Sequence, residues 1–251
     1  MKPYKVVSYA IVNQKGGSTK SSNTAIFARS LAATGKRVLV VDCDPQGGIS
    51  SVLGFPALQE GDFRKGLVEI LFGSDPVVGE NVHPTDRALY PGSIDLIPAD
   101  YRLDQVFFTT SPFALSQALE SFASENYDVV ILDTPPTMQG ITRSAIFFAN
   151  SIIVPCEIST QALGPTRYTV NSVRENKKNP NIVFIGWKEP DGNGYQARLS
   201  REFLENFEDI LLGDLPKNTT AISFASEPKK VTEALREGII AKALNILEKA
   251  K

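Results

Sequence analysis

Short apolar runs rich in valine and isoleucine recur along the chain, separated by stretches in which apolar residues return every three or four positions. The runs are VVSYAIV (6–12), RVLVVD (37–42), IDLIPA (94–99), DVVILD (128–133), SIIVPC (151–156) and NIVFIGW (181–187), with LLGDLP (211–216) as a weaker seventh. Continuous rather than alternating hydrophobicity predicts strands buried on both faces of a parallel sheet. The intervening stretches predict helices over SNTAIFARSLAAT (22–34), closed by Gly35, over FALSQALESFASE (113–125) and over ALGPTRYTVNSVREN (162–176). Pro165 fits the first turn of the last of these. Two more helical stretches follow, RLSREFLENF (198–207) and VTEALREGIIAKALNILEKA (231–250). Alternation of this kind predicts an α/β fold, a mostly parallel twisted sheet of about seven strands with helices on both faces. No internal repeat or linker interrupts it, so a single domain over residues 1–251 is expected. Residues 55–93, with many Gly, Pro and Asp, read as a loop and short-helix insertion between two strands.

Composition narrows the function classes without choosing one. A chain of 251 residues is long enough to bury a core without disulfide or metal staples. Two cysteines, Cys43 and Cys156, cannot form a disulfide framework, and the expectation is a reduced, cytoplasmic protein. The single histidine, His83, leaves no His-based metal cluster or catalytic triad. The N-terminal residues lack the apolar core of a signal peptide, and no apolar run approaches the ~18 residues of a membrane span. The formal net charge is -2, but its distribution is uneven. Residues 1–41 carry seven basic residues and no acid, whereas residues 42–163 carry 16 acids and five basic residues. Residues 164–201 are basic again, seven against three. Such asymmetry fits anion binding at one end of a fold, and it equally fits scatter over a solvated surface.

Candidate chemistry lies at the end of the first strand. There VVSYAIV runs into Asn13-Gln14-Lys15-Gly16-Gly17-Ser18-Thr19-Lys20-Ser21-Ser22 and then a helix. A strand, a Gly-rich turn and a helix N-terminus form a phosphate cradle, because the turn's N–H groups point inward and the helix end adds partial positive charge. In the pattern G-x-x-x-x-G-K-[ST], Lys20 would reach the β- and γ-phosphates and the Ser21 hydroxyl would ligate Mg²⁺. Gln14 and Thr19 stand where that pattern has its two glycines. Two carboxylates, Asp42 and Asp44 in VVDCDPQGG, arrive at the end of the next strand, and Asp133 ends the strand in YDVVILDTPP. Asp133 is placed as a P-loop enzyme places its second Mg²⁺-site carboxylate. Parallel strands bring all three segments to one carboxyl edge of the sheet, where ligands of open α/β folds bind.

These segments resemble the ParA/Soj/MinD group of P-loop ATPases. NQKGGSTKSS is similar to the family's deviant box K-G-G-x-G-K-[ST], and the likeness continues through GKRVLVVDCDPQGG, IDLIPADYRLD, YDVVILDTPP and SIIVPCEISTQALG. DPQG and the DTPP segment resemble the ParA/Soj branch, with MinD more distant. The resemblance implies that Lys15 is the signature lysine, reaching across an ATP-sandwich homodimer to the partner's phosphates. It implies a cradle of Gly16, Gly17, Ser18, Thr19, Lys20, Ser21 and Ser22, with Ser21 on Mg²⁺. Asp44 would orient the attacking water, Asp42 would support the Mg²⁺ site, and Asp133 would bind Mg²⁺ through water. LPKNTTAIS resembles the family's P-R-N segment beside the adenine, which makes Pro216 and Asn218 base contacts. The implied protein is a slow ATPase, stimulated by a ParB-like partner, that binds DNA without sequence preference and positions plasmid, chromosome or other cargo.

The departures matter. Thr19 is β-branched where the family has glycine, which is costly if the loop needs φ > 0 and cheap if it does not. Thr220 stands where the partition branch often has an arginine facing nucleic acid. Candidate DNA contacts are therefore Arg174, Lys177, Lys178, Arg198, Arg201, Lys229 and Lys230, since phosphate neutralisation needs only a basic patch. Lys177 and Lys178 equally suit a solvated helix C-terminus. In a MinD-like reading, GIIAKALNILEKAK would insert Ile240, Leu244 and Leu247 into lipid. Its Glu248 and lack of bulky aromatics favour packing on the core, so a membrane partner is not expected. A nucleotide-binding scaffold that hydrolyses weakly is the other alternative, suggested by Thr19.

Overall fold

The computed structural model describes residues 6–55, 65–74, 77–85, 89–106, 110–217 and 219–251. In chain order the elements are β1 (Val7–Ile11), α1 (Lys20–Ala33), β2 (Arg37–Asp42), α2 (Gly48–Val52), α3 (Leu67–Phe72), β3 (His83–Pro84) and β4 (Ser93–Ile97). Then come α4 (Leu103–Val106), α5 (Ala114–Asn126), β5 (Val129–Asp133), α6 (Ile141–Phe148), β6 (Ser151–Glu157) and α7 (Leu163–Glu175). The chain finishes with β7 (Pro180–Ile185), α8 (Tyr195–Phe207), β8 (Leu211–Leu215), α9 (Thr219–Ser226) and α10 (Glu233–Lys249).

All eight strands form one sheet in the order β3-β4-β2-β5-β1-β6-β7-β8. Seven are parallel, as the apolar runs predict; the eighth, β3, is a two-residue antiparallel strand pairing His83 with Leu96 and Pro84 with Asp95. It escapes the sequence reading because a proline-containing pair has no period to detect and suits only a sheet edge. Both faces of the sheet are covered. Along β2, Leu39 and Val41 enter one core while Val38 and Val40 enter the other, and along β5 Val130 and Leu132 alternate likewise with Val129 and Ile131. Helices α3, α5, α6, α7 and α8 close the first core, and α1, α2, α9 and α10 the second.

Helix α1 is buried nearly all round, from Asn23 to Ala32. Its small residues, Ala25, Ala28, Ser30 and Ala32, let neighbouring helices approach closely. A Schellman motif ends it: Gly35, at φ 85°, donates its N–H to Ala32 O and Lys36 donates to Leu31 O. Helix α10 lies against α1 and β8, with Ile239, Ala243, Ile246 and Leu247 buried and Ile240 and Leu244 half-buried beside them. The Tyr9 hydroxyl, its pKa pushed up to about 12 by burial, donates to Leu247 O at 3.1 Å. The amphipathic stripe at the C-terminus is thus a core face. Among the described residues no helix is long and apolar enough to cross a membrane.

Trp187 stacks on Phe184, ring centroids 5.0 Å apart, and Phe184 meets Phe203 of α8 edge-on. That tryptophan therefore fastens the loop after β7 to the core. Truncating α10 tests its place in the core: Leu247→Ala should lower the unfolding free energy by about 2–5 kcal/mol in urea denaturation. A loss below about 0.5 kcal/mol, the range of an ordinary surface position, would contradict the packing.

Candidate nucleotide-binding site

Central strand β1 sits between β5 and β6, and its register sets the site. Ile11 lies beside Asp133 across β1–β5, and Asp42 lies beside Asp133 across β2–β5. Parallel pairing thus delivers the β1–α1 loop, Asp42, Asp44 and Asp133 to one carboxyl edge. Loop residues 16–22 together with Asp44, Gln46 and Pro136 line an open cleft of about 430 Å³.

The loop is pinned at its start. The Asn13 amide donates to Pro155 O at 2.8 Å while its Oδ1 accepts the Lys15 N–H, and the Gln14 N–H donates to Thr169 Oγ1. Lys20 opens α1 and is buried; its ammonium donates to Asn13 O at 3.1 Å and Lys15 O at 3.5 Å. Burial pulls the Lys20 pKa down, and the charges of Asp133 and Asp44 oppose that shift. Lys15 is half-buried and donates to Ser159 Oγ at 3.1 Å, bridging to the loop after β6.

Asp42 and Asp133 are adjacent and fully buried. Burial raises both pKa values. The charge of Asp133 adds to the rise at Asp42, while hydroxyl donors from Ser21 and Thr24 oppose it at Asp133. Ser21 Oγ donates to Asp133 Oδ2 at 2.6 Å and Thr24 Oγ1 to Oδ1 at 2.9 Å. Asp42 accepts the Asp44 N–H at 3.0 Å and both the N–H and hydroxyl of Ser50. Its carboxylate is therefore committed to the turn that carries Asp44. Asp44 itself is half-buried, with Oδ1 accepting the Gln46 N–H. Thr24 and Ser50 were not signalled by the sequence, because a hydroxyl near the start of a helix resembles any other small residue there.

Thr19 resolves one open question of the sequence: its φ is 61° and its ψ 20°, left-handed, so the loop does demand φ > 0. For an L-residue that conformation costs roughly 1–2 kcal/mol. The Asn23 amide donates to both the carbonyl and the hydroxyl of Thr19, at 2.8 and 2.9 Å. The buried Ser18 hydroxyl has no partner among the described residues. A Cβ at Gly16 or Gly17 would meet no protein atom within 4 Å, so this rim of the loop faces open space.

The remaining candidates are dispersed. Pro216 follows β8 on the same sheet edge, three strands from β1, and Asn218 lies outside the described residues. Lys217 pairs with Glu157, tying the ends of β8 and β6. Arg174 pairs with Asp209 at 3.5 Å, and Lys177 is exposed just past α7 with φ 57°. Lys178 donates to Phe147 O and Ala149 O, capping α6. Arg198 is exposed on α8, and Arg201 donates to Gly192 O. Lys229 is exposed, and Lys230 pairs with Glu227 at 2.8 Å. Helices α7 and α8 cover one face of the sheet and α9–α10 the other, so Arg174, Arg198 and Arg201 belong to one layer and Lys229 and Lys230 to the opposite one.

Residues 5–184 match the AAA domain family AAA_31. Over 185 residues the chain is 36% identical to the chromosome-partitioning ATPase Soj of Thermus thermophilus, covering 72% of this chain and 68% of that protein. Its fold is similar to that of apo McdA from Cyanothece, with a TM-score of 0.80, 17% identity, and 98% and 99% of the two chains covered. A plasmid partition protein of Borrelia burgdorferi bound to AMPPNP gives a TM-score of 0.72 at 22% identity over 97% of each chain.

The contact between Ser21 and Gly48 offers a test of this geometry. A Cβ at Gly48 would lie 2.7 Å from Ser21 Oγ. Gly48→Ala should force the hydroxyl off Asp133 and cost about 1 kcal/mol in chemical denaturation: a hydrogen bond to a charged group of about 1.5–3 kcal/mol, less the gain of about 0.4–1 kcal/mol from restricting the unfolded chain. In a Ser21→Ala background the same change should be neutral or stabilising. An equal cost in both backgrounds would contradict this account.

Proposed function

This chain belongs to the ParA/Soj-type partition ATPases of the ParA/MinD family, and we propose on that premise that it binds and slowly hydrolyses ATP with Mg²⁺ as an ATP-sandwich homodimer. The observation that carries this reading is the meeting of a glycine turn, a helix N-terminus, Lys20 and Ser21 in one cleft, with the buried Asp133 accepting the Ser21 hydroxyl behind it. The donor set fits the ligand. Open space over Gly16 and Gly17, the orphaned Ser18 hydroxyl and the free rim of the loop suit a polyanion.

In this reading Lys20 exchanges two backbone carbonyls for phosphate oxygens, a trade of weak acceptors for charged ones. Lys15 leaves Ser159 and neutralises phosphate charge across the dimer. Ser21 and Asp133 would hold Mg²⁺, which would supply positive charge to offset the negative charge of the phosphates. Asp44 orients the attacking water, and Asp42 fixes the turn beneath it. Pro216 and Asn218 flank the base. Residues 1–251 act as a single nucleotide-binding domain in the cytoplasm, associated with the nucleoid if DNA binding holds.

DNA binding, without sequence preference, would draw on Arg174, Lys177, Arg198, Arg201, Lys229 and Lys230, with each patch doubled by dimerisation. Lys178 is a weaker candidate, because its ammonium already serves as a helix cap. A ParB-like protein would stimulate turnover. The left-handed Thr19 favours slow turnover, the feature shared with a nucleotide-binding scaffold.

Phosphate release separates the two. Asp44→Ala should lower the ATPase rate about 10²-fold or more, as loss of a water-orienting base does, while leaving ATP-dependent dimerisation intact by analytical ultracentrifugation. Equal rates for the two proteins would remove Asp44 from the mechanism. Duplex retention with ATP should fall steeply as salt rises.

A further inference from the structure

Two non-glycine residues among those described have positive φ, Thr19 and Lys177. Lys177 is exposed and follows a helix C-terminus, where the left-handed conformation is common. Thr19 is different. It is the residue before a helix, where extended backbone is usual, and it is β-branched, which makes positive φ an outlier.

The surroundings of Thr19 account for its persistence. Asn23, 3% exposed, uses its amide nitrogen on two Thr19 atoms, the carbonyl oxygen at 2.8 Å and Oγ1 at 2.9 Å. The backbone N–H of Asn23 donates to the same carbonyl at 2.9 Å. The Thr19 hydroxyl in turn donates to Ser18 O at 2.5 Å. Carbonyl and side chain are thus gripped from one turn down the helix. Rotation of Thr19 to negative φ would break this set and re-aim the peptide N–H groups that begin α1. The residues that carry them, Lys20, Ser21 and Ser22, line the cleft.

We infer that Asn23 is a positioning residue for phosphate binding: its carboxamide holds Thr19 in the left-handed conformation that a glycine would adopt unaided. The inference rests on the nucleotide reading above and adds a residue that touches neither phosphate nor metal. It predicts coupling of a particular sign. Asn23 should matter when residue 19 is threonine and cease to matter when it is glycine.

The test is a double-mutant cycle on the full chain, reading AMPPNP affinity in the presence of Mg²⁺ by calorimetry and folding by circular dichroism. Asn23→Ala should weaken binding about tenfold or more, equivalent to about 1.4 kcal/mol. Thr19→Gly, whatever its own affinity, is the reference for the second half of the cycle. In the Thr19→Gly background, Asn23→Ala should change affinity by less than about twofold, a rescue that simple structural damage would not produce. Asn23→Leu, similar in size and without donors, carries the same comparison should the alanine variant fail to fold. Equal losses in both backgrounds, or no loss with Thr19 present, would overturn the inference while leaving the phosphate cradle standing. Absence of AMPPNP binding by the unsubstituted protein would remove the cradle and the inference with it.

Discussion

Two carboxylates lie side by side with no access to water, and much of this molecule is arranged around them. The β2–β5 register sets Asp42 against Asp133, so burial and mutual repulsion both work against their ionisation. Each is answered locally. Asp133 takes hydroxyls from Ser21 and Thr24 on α1, and Asp42 takes Ser50 and the backbone of its own turn. The site's first helix and its second loop are therefore fastened to the sheet through the same pair. Neutral hydroxyls answer only part of the cost of burying a carboxylate. Lys20 supplies positive charge nearby, but its ammonium rests on carbonyl oxygens rather than on either acid.

Strain enters at the neighbouring residue. Thr19 occupies a conformation suited to glycine, and Asn23 restrains it from within the helix. A sequence departure that looks damaging on its own is thereby accommodated by a second polar residue four positions on. Lys15 and Lys20 are each held by protein oxygens that a phosphate could replace. In the proposed reading the loop is already shaped, and its two lysines would exchange one set of oxygen partners for another.

Much of this was legible in the sequence. The Val- and Ile-rich runs mark six of the seven parallel strands, because burial on both faces leaves no polar alternation to confuse them. Even LLGDLP forms its strand, weakened in signal by Gly213 and Asp214. Lys15, Lys20, Ser21, Asp42, Asp44 and Asp133 were visible because their spacing relative to strand ends is itself the signal. What stayed hidden has physical reasons. The pair His83–Pro84 is too short to show a period. Helices α6 and α9 sit in segments dominated by other patterns. Asn23, Thr24 and Ser50 act through hydrogen bonds inside helices, where sequence distinguishes a buried polar partner poorly from a solvated one. Backbone φ at Thr19 follows from the loop's closure, which no local propensity encodes. Basic residues were easy to count, yet their division between two faces of the sheet needed the topology.

The central claim is that the carboxyl end of β1 is a phosphate site built from backbone amides, Lys20 and the Ser21–Asp133 contact. A crystal structure grown with AMPPNP and Mg²⁺ tests it most directly. The account predicts the nucleotide's phosphates seated against residues 16–22, with the Lys20 ammonium moved from Asn13 O and Lys15 O onto phosphate oxygens and Thr19 still left-handed. A nucleotide bound elsewhere, or a Lys20 that keeps its carbonyl partners while phosphate lies outside the loop, would contradict it.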